Sequence, residues 1–297
     1  MSELLLDSTA LIPSPADSRD ILTSNIIPKI ARYPKECPSA FDLTYLDQES
    51  TPHCVGFSGA SYKEYLEKRE RNNIIFDGHW IFDECKKIDG HPEVSGTYLR
   101  AVMKVLQTVG AKPLNGTEAE ASQYRISAYG KIDDLSFESL KKHIFVYGMI
   151  LAGFRGSNGG WKTAYIRPPK AGEKIWGHGV DLDAYLEKYL GIHNSWGKSK
   201  GDNGEFYAPE TYLPFEAWVV LVDHPTGEVS APHTGFVALP YLNTAQIGNK
   251  GKVIASTLNM RSAPNGTVIN KLNQGKEVEI VGKPIPSGKH TWVEIKI

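Results

Sequence analysis

The sequence predicts an α+β fold in two lobes, followed by a small all-β module. Between residues 33 and about 225, helix-forming segments come first, and strand-forming segments separated by Gly, Asn and Pro turns come second. That order favours segregated helices and strands over the alternating units of a parallel sheet. After residue 250 only short strand-like runs remain, which predicts a separate all-β module.

Four segments have helical patterns. Residues 62–73 are rich in strong helix formers, with their charges on a solvated face. Residues 97–109 carry apolar side chains near helical spacing, and Gly110 lies just past their end as a C-cap. Two shorter helices are predicted over residues 79–88 and 136–144.

Turn-forming residues indicate where the predicted strands end and where the domains divide. Five strands are predicted in the second lobe: residues 149–154, 179–184, 190–193, 205–208 and 217–223. Four strands are predicted near the C-terminus: residues 253–256, 268–272, 277–281 and 292–297. We therefore divide the chain into an N-terminal arm or short leader (1–32), a main domain (33–225), a linker with scattered Gly and Pro (226–250) and a C-terminal module (251–297).

Composition excludes several classes of protein. The chain has 297 residues, 41% of them hydrophobic and 23% charged, which is typical of a globular protein. The net charge of −1 gives no argument for nucleic-acid binding. The longest apolar run has 11 residues, too short for a membrane span. Because no signal peptide is visible, we expect a cytoplasmic or phage- or virion-associated protein, with secretion by another route as the alternative.

One cysteine has the sequence context of a nucleophile. Three cysteines are an odd, low number that argues against a disulfide scaffold, although a bridge between Cys37 and Cys85 is left open. Cys54 precedes a predicted helix by a few residues. Free N–H groups and partial positive charge at a helix start favour the thiolate, which is the reactive form.

A histidine and an asparagine have the context of its partners. Thiolate catalysis needs a base that takes the thiol proton and later gives it to the leaving amine. It also needs a group that holds the imidazole in one tautomer. Two strands carrying His178 and Asn194 would bring such a pair together if they were neighbours.

These residues give the chain a resemblance to papain-like cysteine peptidases over residues 33–225. Gln48 lies six residues before Cys54, as that family's Gln does before its nucleophile. Asn194 opens the family's Asn-Ser-Trp-Gly motif, and His178 begins a predicted strand upstream of it. The family's Gly-x-Asn-Gly turn is matched at residues 201–204. The resemblance implies a helical lobe and a β-barrel lobe.

The resemblance also implies roles for individual residues. Cys54 would attack the peptide carbonyl, His178 would be general base and then acid, and Asn194 would orient His178. The Gln48 amide and the Cys54 backbone N–H would form the oxyanion hole. Trp196 would cover the His178–Asn194 contact. The remaining substrate-binding residues implied are Ser95, Gly96 and Gly177. No cofactor is implied, and the partner is a protein or peptide substrate.

Departures from the family pattern indicate a divergent bacterial or phage branch. Thr51 stands where the family has a disulfide cysteine, and Val55 replaces a Trp beside the nucleophile. His193 should point away from Asn194 by strand alternation, which favours a structural role. Asp181 and Asp183 lack further metal-ligand spacing, so we expect solvated or paired carboxylates and no metal.

The last 47 residues resemble a bacterial SH3-like domain. The matching features are a Leu-Asn-Met-Arg-Ser-Ala-Pro run from Leu258, a Gly275 before a strand, and a late Trp292. This module carries seven basic and three acidic residues. The resemblance implies a cell-wall ligand, for which a positive module is suited, and a docking or spacer role is the alternative.

Taken with the site residues, these resemblances predict a cysteine endopeptidase that acts through a thioester acyl-enzyme and is targeted by its C-terminal module. Two alternatives stay open. One is a lysin that cuts the peptides of peptidoglycan, and the other is a catalytically inactive papain-like binding protein.

Overall fold

The computed structural model divides the chain into two compact units, Met1–Gly227 and Glu228–Ile297. It describes residues 10–28, 33–221, 234–238, 250–253, 256–261, 268–280, 285–287 and 290–296. The first nine residues of the arm, most of the predicted linker and the predicted turn at 264–266 lie outside these ranges.

The helices of the first unit come mainly from its N-terminal half. They are α1 (Cys54–Arg69), α2 (Gly78–Ile88), α3 (Leu99–Thr108) and α4 (Phe137–Tyr147). Short 3-10 turns span Thr23–Asn25 and Glu118–Tyr124. Ser136 caps α4 by accepting a hydrogen bond from the N–H of Ser139.

Helix α1 begins eight residues before the predicted helix at 62–73, although its first two turns hold weak helix formers. Tertiary packing explains the difference. A Cβ added at Gly56 would lie 2.3 Å from the carbonyl oxygen of Gly78, and one at Gly59 would lie 2.3 Å from a methyl of Val102. The two glycines therefore allow α2 and α3 to approach α1 closely, and this burial outweighs their low helix propensity.

The strands of the first unit form one six-stranded sheet. They are β1 (Ala128–Lys131), β2 (Ile150–Gly156), β3 (Trp176–Tyr185), β4 (Tyr189–His193), β5 (Glu205–Pro209) and β6 (Glu216–Leu221). The spatial order is β1-β6-β2-β3-β4-β5, and every pairing is antiparallel. Sequence analysis missed β1, whose four residues pair with β6.

Two hydrophobic clusters fill this unit. One lies around the helices, with Leu99, Met103 and Leu106 among its buried members. The other lies on the sheet beside α4, with Phe154, Leu182 and Ile192 among its members. The first cluster also includes Leu151, Trp218 and Val220 of β2 and β6, so the helices pack against the antiparallel sheet, in agreement with the predicted α+β organisation.

The second unit is all-β among its described residues. Its strands are β7 (Thr234–Ala238), β8 (Lys250–Lys252), β9 (Thr257–Arg261), β10 (Val268–Asn273), β11 (Glu277–Ile280), β12 (Ile285–Ser287) and β13 (His290–Lys296). A small cluster including Leu258, Met260, Ile280 and Val293 forms its core.

Strand β7 lies inside the segment predicted as a linker. It pairs with β13 along five residues, so part of the range 226–250 belongs to the sheet of the second unit. The Gly and Pro residues around this short strand hide its pattern in the sequence. No helix in the described part of the chain has the length and apolar character needed to cross a membrane.

Candidate active site

Cys54 is the first residue of α1 and is completely buried. Its Sγ accepts a hydrogen bond of 3.4 Å from the backbone N–H of Gly179 on β3. The backbone N–H groups of the first helical turn lack partners within the helix and face the same end. The N-terminus of α1 therefore meets strand β3 at the sulfur of Cys54.

His178 and Asn194 form a buried hydrogen-bonded pair. His178 lies on β3, and Asn194 directly follows the neighbouring strand β4. Imidazole Nε2 lies 2.8 Å from Oδ1 of Asn194, which also accepts the N–H of Ser195. Because an amide oxygen only accepts, Nε2 carries the proton in the neutral ring. Nδ1 of His178 has no hydrogen-bond partner among the residues that the structure describes, so its lone pair is available as a base.

Three tryptophans enclose His178. Trp196 stacks on the imidazole with ring centres 4.6 Å apart, which is the covering position expected for it. Trp161 and Trp176 contact the imidazole edge-on at 5.6 and 6.0 Å. Neither Trp161 nor Trp176 was predicted from the sequence. Trp176 precedes His178 by two residues on β3, so strand alternation could have placed both side chains on one face. Trp161 lies beyond the end of β2, and only the folded chain brings it to His178.

Gln48 is held beside this pair by the loop that carries the Asn-Ser-Trp-Gly motif. Its Oε1 accepts a 2.7 Å hydrogen bond from the Ser195 hydroxyl, and its backbone N–H donates to the carbonyl of Ser195. Its Nε2 donates to the carbonyl of Thr51, which occupies one of the two amide hydrogens. The second amide hydrogen makes no hydrogen bond with any described residue.

The Gln48 loop and the motif pair in an antiparallel, strand-like manner. Gly197 donates its N–H to Leu46, and Asp47 forms a bridge with Trp196. Gly197 has a φ of 69° and stands against Asp47, a conformation and a contact that suit glycine. This pairing joins residues about 150 positions apart into one site.

Burial determines the protonation states at the site. It raises the pKa of the Cys54 thiol to about 11, against the smaller opposing effect of backbone N–H groups. It lowers the pKa of His178 to about 4, against the opposing hydrogen bond to Asn194. At neutral pH the site therefore holds a neutral thiol and a neutral imidazole rather than an ion pair.

The N-terminal arm covers the cysteine. Ala10 and Leu11 are completely buried, and the Cys54 thiol lies 3.8 Å from the carbonyl oxygen of Ala10. Leu11 forms a parallel bridge with Thr97, and the N–H of Ile12 donates to the Thr97 carbonyl. The arm thus contributes to the burial of Cys54, while the three tryptophans enclose His178.

Of the four predicted substrate-binding residues, Gly177 borders the arm and Gly96 precedes a residue that pairs with it. A Cβ at Gly177 would lie 2.2 Å from the Leu11 carbonyl oxygen, so the arm backbone passes against this glycine. Gly96 is buried and precedes the Thr97 that pairs with the arm, whereas Ser95 is exposed. The fourth predicted residue, Trp196, stacks on His178 instead.

Arg100 anchors the arm further along. Its backbone N–H donates to the Ser14 hydroxyl, and its guanidinium lies 3.2 Å from Asp20 and 3.4 Å from Asp17. The N–H of Ser14 also donates to Glu216 of β6. These contacts hold the arm across both the helices and the sheet.

The carboxylates near His193 differ from the prediction. Asp181 and Asp183 are buried rather than solvated, and neither makes an ion pair with any described residue. They lie on β3, whose residues are almost all buried, so strand alternation alone could not predict a solvated face. His193 is buried and stacks on Tyr45, away from His178.

All three cysteines are free, so no disulfide joins Cys37 to Cys85. Cys85 is buried in α2 and contributes to the apolar cluster around the helices. Of the three, only Cys54 lies at a helix start.

Comparison with known proteins identifies the fold. No protein family model matches the chain. It is 26% identical over 257 residues to the uncharacterized peptidase C1-like protein L477 of Acanthamoeba polyphaga mimivirus, which covers 69% of this chain and 82% of that protein.

Two solved structures agree. Xylellain, a cysteine protease from Xylella fastidiosa, aligns with a TM-score of 0.65 at 21% identity, over 74% of this chain and 98% of that one. The Carica candamarcensis cysteine protease CMS1MS2, solved in complex with E-64, aligns with a TM-score of 0.53 at 13% identity, over 65% of this chain and all of that one. With its helical part, its antiparallel sheet and the likeness to these proteins, the chain has the papain-like cysteine peptidase fold.

Proposed function

We propose that the protein is a cysteine peptidase in which Cys54, His178, Asn194 and Gln48 carry the reaction. The observation that supports this most directly is the orientation of His178. Its Nε2 is occupied by Asn194, and its Nδ1 has no partner among the described residues, while the N–H of the next residue, Gly179, donates to the sulfur of Cys54. A histidine with a purely structural role would satisfy both ring nitrogens in a buried site.

The reaction follows from these positions. His178 takes the thiol proton, and the Cys54 thiolate attacks the carbonyl carbon of the scissile bond. The oxyanion receives hydrogen bonds from the Cys54 backbone N–H and the free amide hydrogen of Gln48. His178 then protonates the leaving amine. Water, deprotonated by His178, hydrolyses the thioester and restores the thiol.

The arm makes the described state latent. Its backbone occupies the space between Thr97 and Gly177, and a substrate needs that space to reach Cys54. Its removal would admit water to both partners. Solvation would lower the pKa of the thiol and raise that of the imidazole, which favours the reactive ion pair.

Labelling with E-64, a thiol-directed epoxide, tests both the reactivity of Cys54 and its obstruction by the arm. The intact chain and a chain lacking residues 1–28 would be labelled across pH 4–9, and the modified residue located by mass spectrometry. We expect fast labelling of Cys54 in the shortened chain and much slower labelling in the intact one. Cys54→Ala should abolish labelling, and His178→Ala should reduce it most below pH 7.

Cys37 and Cys85 provide the internal control, because both are far from a helix start and neither has a histidine partner in the proposal. Equal labelling of all three cysteines would contradict an assembled site. An unreactive Cys54 in a folded, shortened chain would favour a binding protein without activity. Cleavage of purified cell walls but not of casein would favour a peptidoglycan-peptide lysin.

We further propose that the second unit is a binding module that directs the peptidase. Its own sheet and its own apolar cluster support an independent role. Sedimentation with purified bacterial cell wall would compare full-length Cys54→Ala protein with the same protein ending at residue 227. Loss of binding on shortening supports a cell-wall ligand, and equal sedimentation of the two proteins contradicts it.

A further inference from the structure

We propose that Asp183, His193 and Glu205 form a binding site for one divalent transition-metal ion, with Zn²⁺ the expected occupant. Each residue offers one ligand atom, and the three atoms lie within 4.8 Å of one another. The site is separate from the catalytic residues and does not depend on peptidase activity.

Sheet topology brings the three residues together. They lie on the consecutive strands β3, β4 and β5, and His193 stands directly opposite Glu205. The register between β3 and β4 shifts between Leu182 and Ala184, which leaves Asp183 as the extra residue of a bulge. Bulges commonly redirect a side chain at a functional position.

His193 has the hydrogen-bonding pattern of a metal ligand. Its Nε2 lies 3.3 Å from the carbonyl oxygen of Thr44, an acceptor, so Nε2 carries the proton. Nδ1 is then a lone pair, and it lies 4.0 Å from Oε1 of Glu205. Nδ1 is therefore an acceptor that a cation can use, and metal-bound histidines commonly donate their second N–H to a backbone carbonyl.

Asp183 provides an independent indication. It is 2% exposed, yet its Oδ1 has no hydrogen-bond partner in the described part of the chain. Burying a carboxylate oxygen without a partner is costly, and a cation offsets that cost.

Tyr45 orients the other two ligands. Its hydroxyl donates to Glu205, and its ring stacks on His193 with centres 4.4 Å apart. Hydrogen bonds and packing of this kind fix the orientation of side chains that bind a metal ion. One imidazole and two carboxylates suit Zn²⁺ better than Ca²⁺ or Mg²⁺, which prefer all-oxygen sites. Zn²⁺ would draw the ligand atoms to about 3.3 Å from one another, a small contraction of the cluster.

Metal stoichiometry measured in the Cys54→Ala chain tests the proposal, since that background removes thiol binding at the catalytic site. The full-length protein would be stripped with EDTA, equilibrated with Zn²⁺, Mn²⁺ or Ca²⁺, and assayed by elemental mass spectrometry. We expect one tightly bound Zn²⁺ and a rise of several degrees in the unfolding midpoint. The substitutions Asp183→Asn and Glu205→Gln should each weaken Zn²⁺ binding at least about tenfold.

Asp181→Asn is the matched control, because it makes the same change on the same strand two residues away and should retain Zn²⁺. His53 and His79, whose Nδ1 atoms lie 2.7 Å apart, are a second place for Zn²⁺. The measurements are therefore repeated with His79→Gln added.

One equivalent of Zn²⁺ that survives His79→Gln and is lost in Glu205→Gln supports the site. Glu205→Gln keeps an acceptor for Tyr45, so it should fold even if Asp183→Asn does not; circular dichroism would check this. Absence of Zn²⁺ from the folded His79→Gln protein at micromolar metal overturns the proposal. Equal loss in Asp181→Asn and Asp183→Asn overturns the assignment of ligands.

Discussion

Gln48 links the two halves of the proposed site through a single side chain. Its Oε1 is fixed by Ser195, and one hydrogen of its amide is fixed by Thr51. The remaining hydrogen is therefore held in one direction before substrate binds. Preorganised donors of this kind stabilise the transition state without reorganisation during the reaction.

Gln48→Glu removes the proposed donor function of Gln48 together with its hydrogen bond to Thr51. Glutamate keeps the size of the side chain and an acceptor for Ser195 but loses the amide donor. In the chain lacking residues 1–28, we expect kcat/KM for a peptide substrate to fall about 100- to 1,000-fold. Ser195→Ala, which keeps the donor and loosens it, should cost less. An equal or greater loss in Ser195→Ala would contradict the donor role.

His178 should make stability depend on pH. Its pKa is lowered by burial to about 4, below its ordinary value of about 6.5, so the unfolded chain binds the proton more readily between these values. The stabilisation is fully present above about pH 6.5 and is lost as pH falls to about 4. It amounts to about 3 kcal/mol at most.

Urea unfolding of the intact chain at several pH values would measure this effect against His178→Gln, which cannot titrate. The unfolding free energy of the unaltered chain, minus that of His178→Gln, should decrease as pH falls from 6.5 to 4. Parallel pH profiles would contradict a neutral, buried His178.

At the scale of elements, the start of α1 shows packing overriding local propensity. Gly59 is a poor helix former, yet it lies within the helix because α3 crosses there. Its neighbour across the contact is Val102. A sequence pattern records the propensity of glycine and not the helix that packs against it.

Gly59→Ala should destabilise the fold although alanine is the better helix former. The added Cβ would lie 2.3 Å from a Val102 methyl. Overpacking of this kind costs about 1–3 kcal/mol, against a gain of about 1 kcal/mol in propensity. The double variant with Val102→Ala removes the clashing methyl and should show a favourable coupling energy in a double-mutant cycle. Additive effects measured by urea unfolding would contradict the clash.

Arg100 should control how firmly the arm covers the cysteine. Its side chain is partly buried between Asp17 and Asp20. Arg100→Gln in the intact chain should speed E-64 labelling of Cys54 several-fold, because the arm detaches more often. Arg19→Gln is the control, since Arg19 pairs with Asp17 but is exposed. Identical labelling rates in the two variants would contradict the anchoring role.

At the scale of the whole molecule, the division into two units predicts that each unit folds independently of the other. The clusters around the helices and on the sheet lie within the first unit, and the third cluster lies within the second. Each unit therefore has the apolar core that a folding domain needs.

Ending the chain at residue 227 should leave the first unit folded. We expect its unfolding midpoint to change little and the Cys54 labelling rate, with or without residues 1–28, to stay within about twofold. Calorimetry and E-64 labelling of both lengths would measure this. A large drop in the midpoint would show that the second unit stabilises the first.

The sequence by itself determined the order of helices and strands, because hydrophobic periodicity and turn residues are local. It also indicated Cys54, His178, Asn194 and Gln48, because their chemistry and spacing are read along the chain. It did not predict β1, because four residues are too few to show a strand pattern and the strand is defined by its pairing with β6.

The tertiary structure decided what surrounds those residues. It placed Trp161 and Trp176 around His178, the arm over Cys54, and Asp183 beside His193 and Glu205. Burial, pKa and unsatisfied hydrogen bonds depend on which distant segments meet. A local sequence pattern cannot show these contacts. They depend on the register of paired strands and on the path of the arm, which exist only in the folded chain.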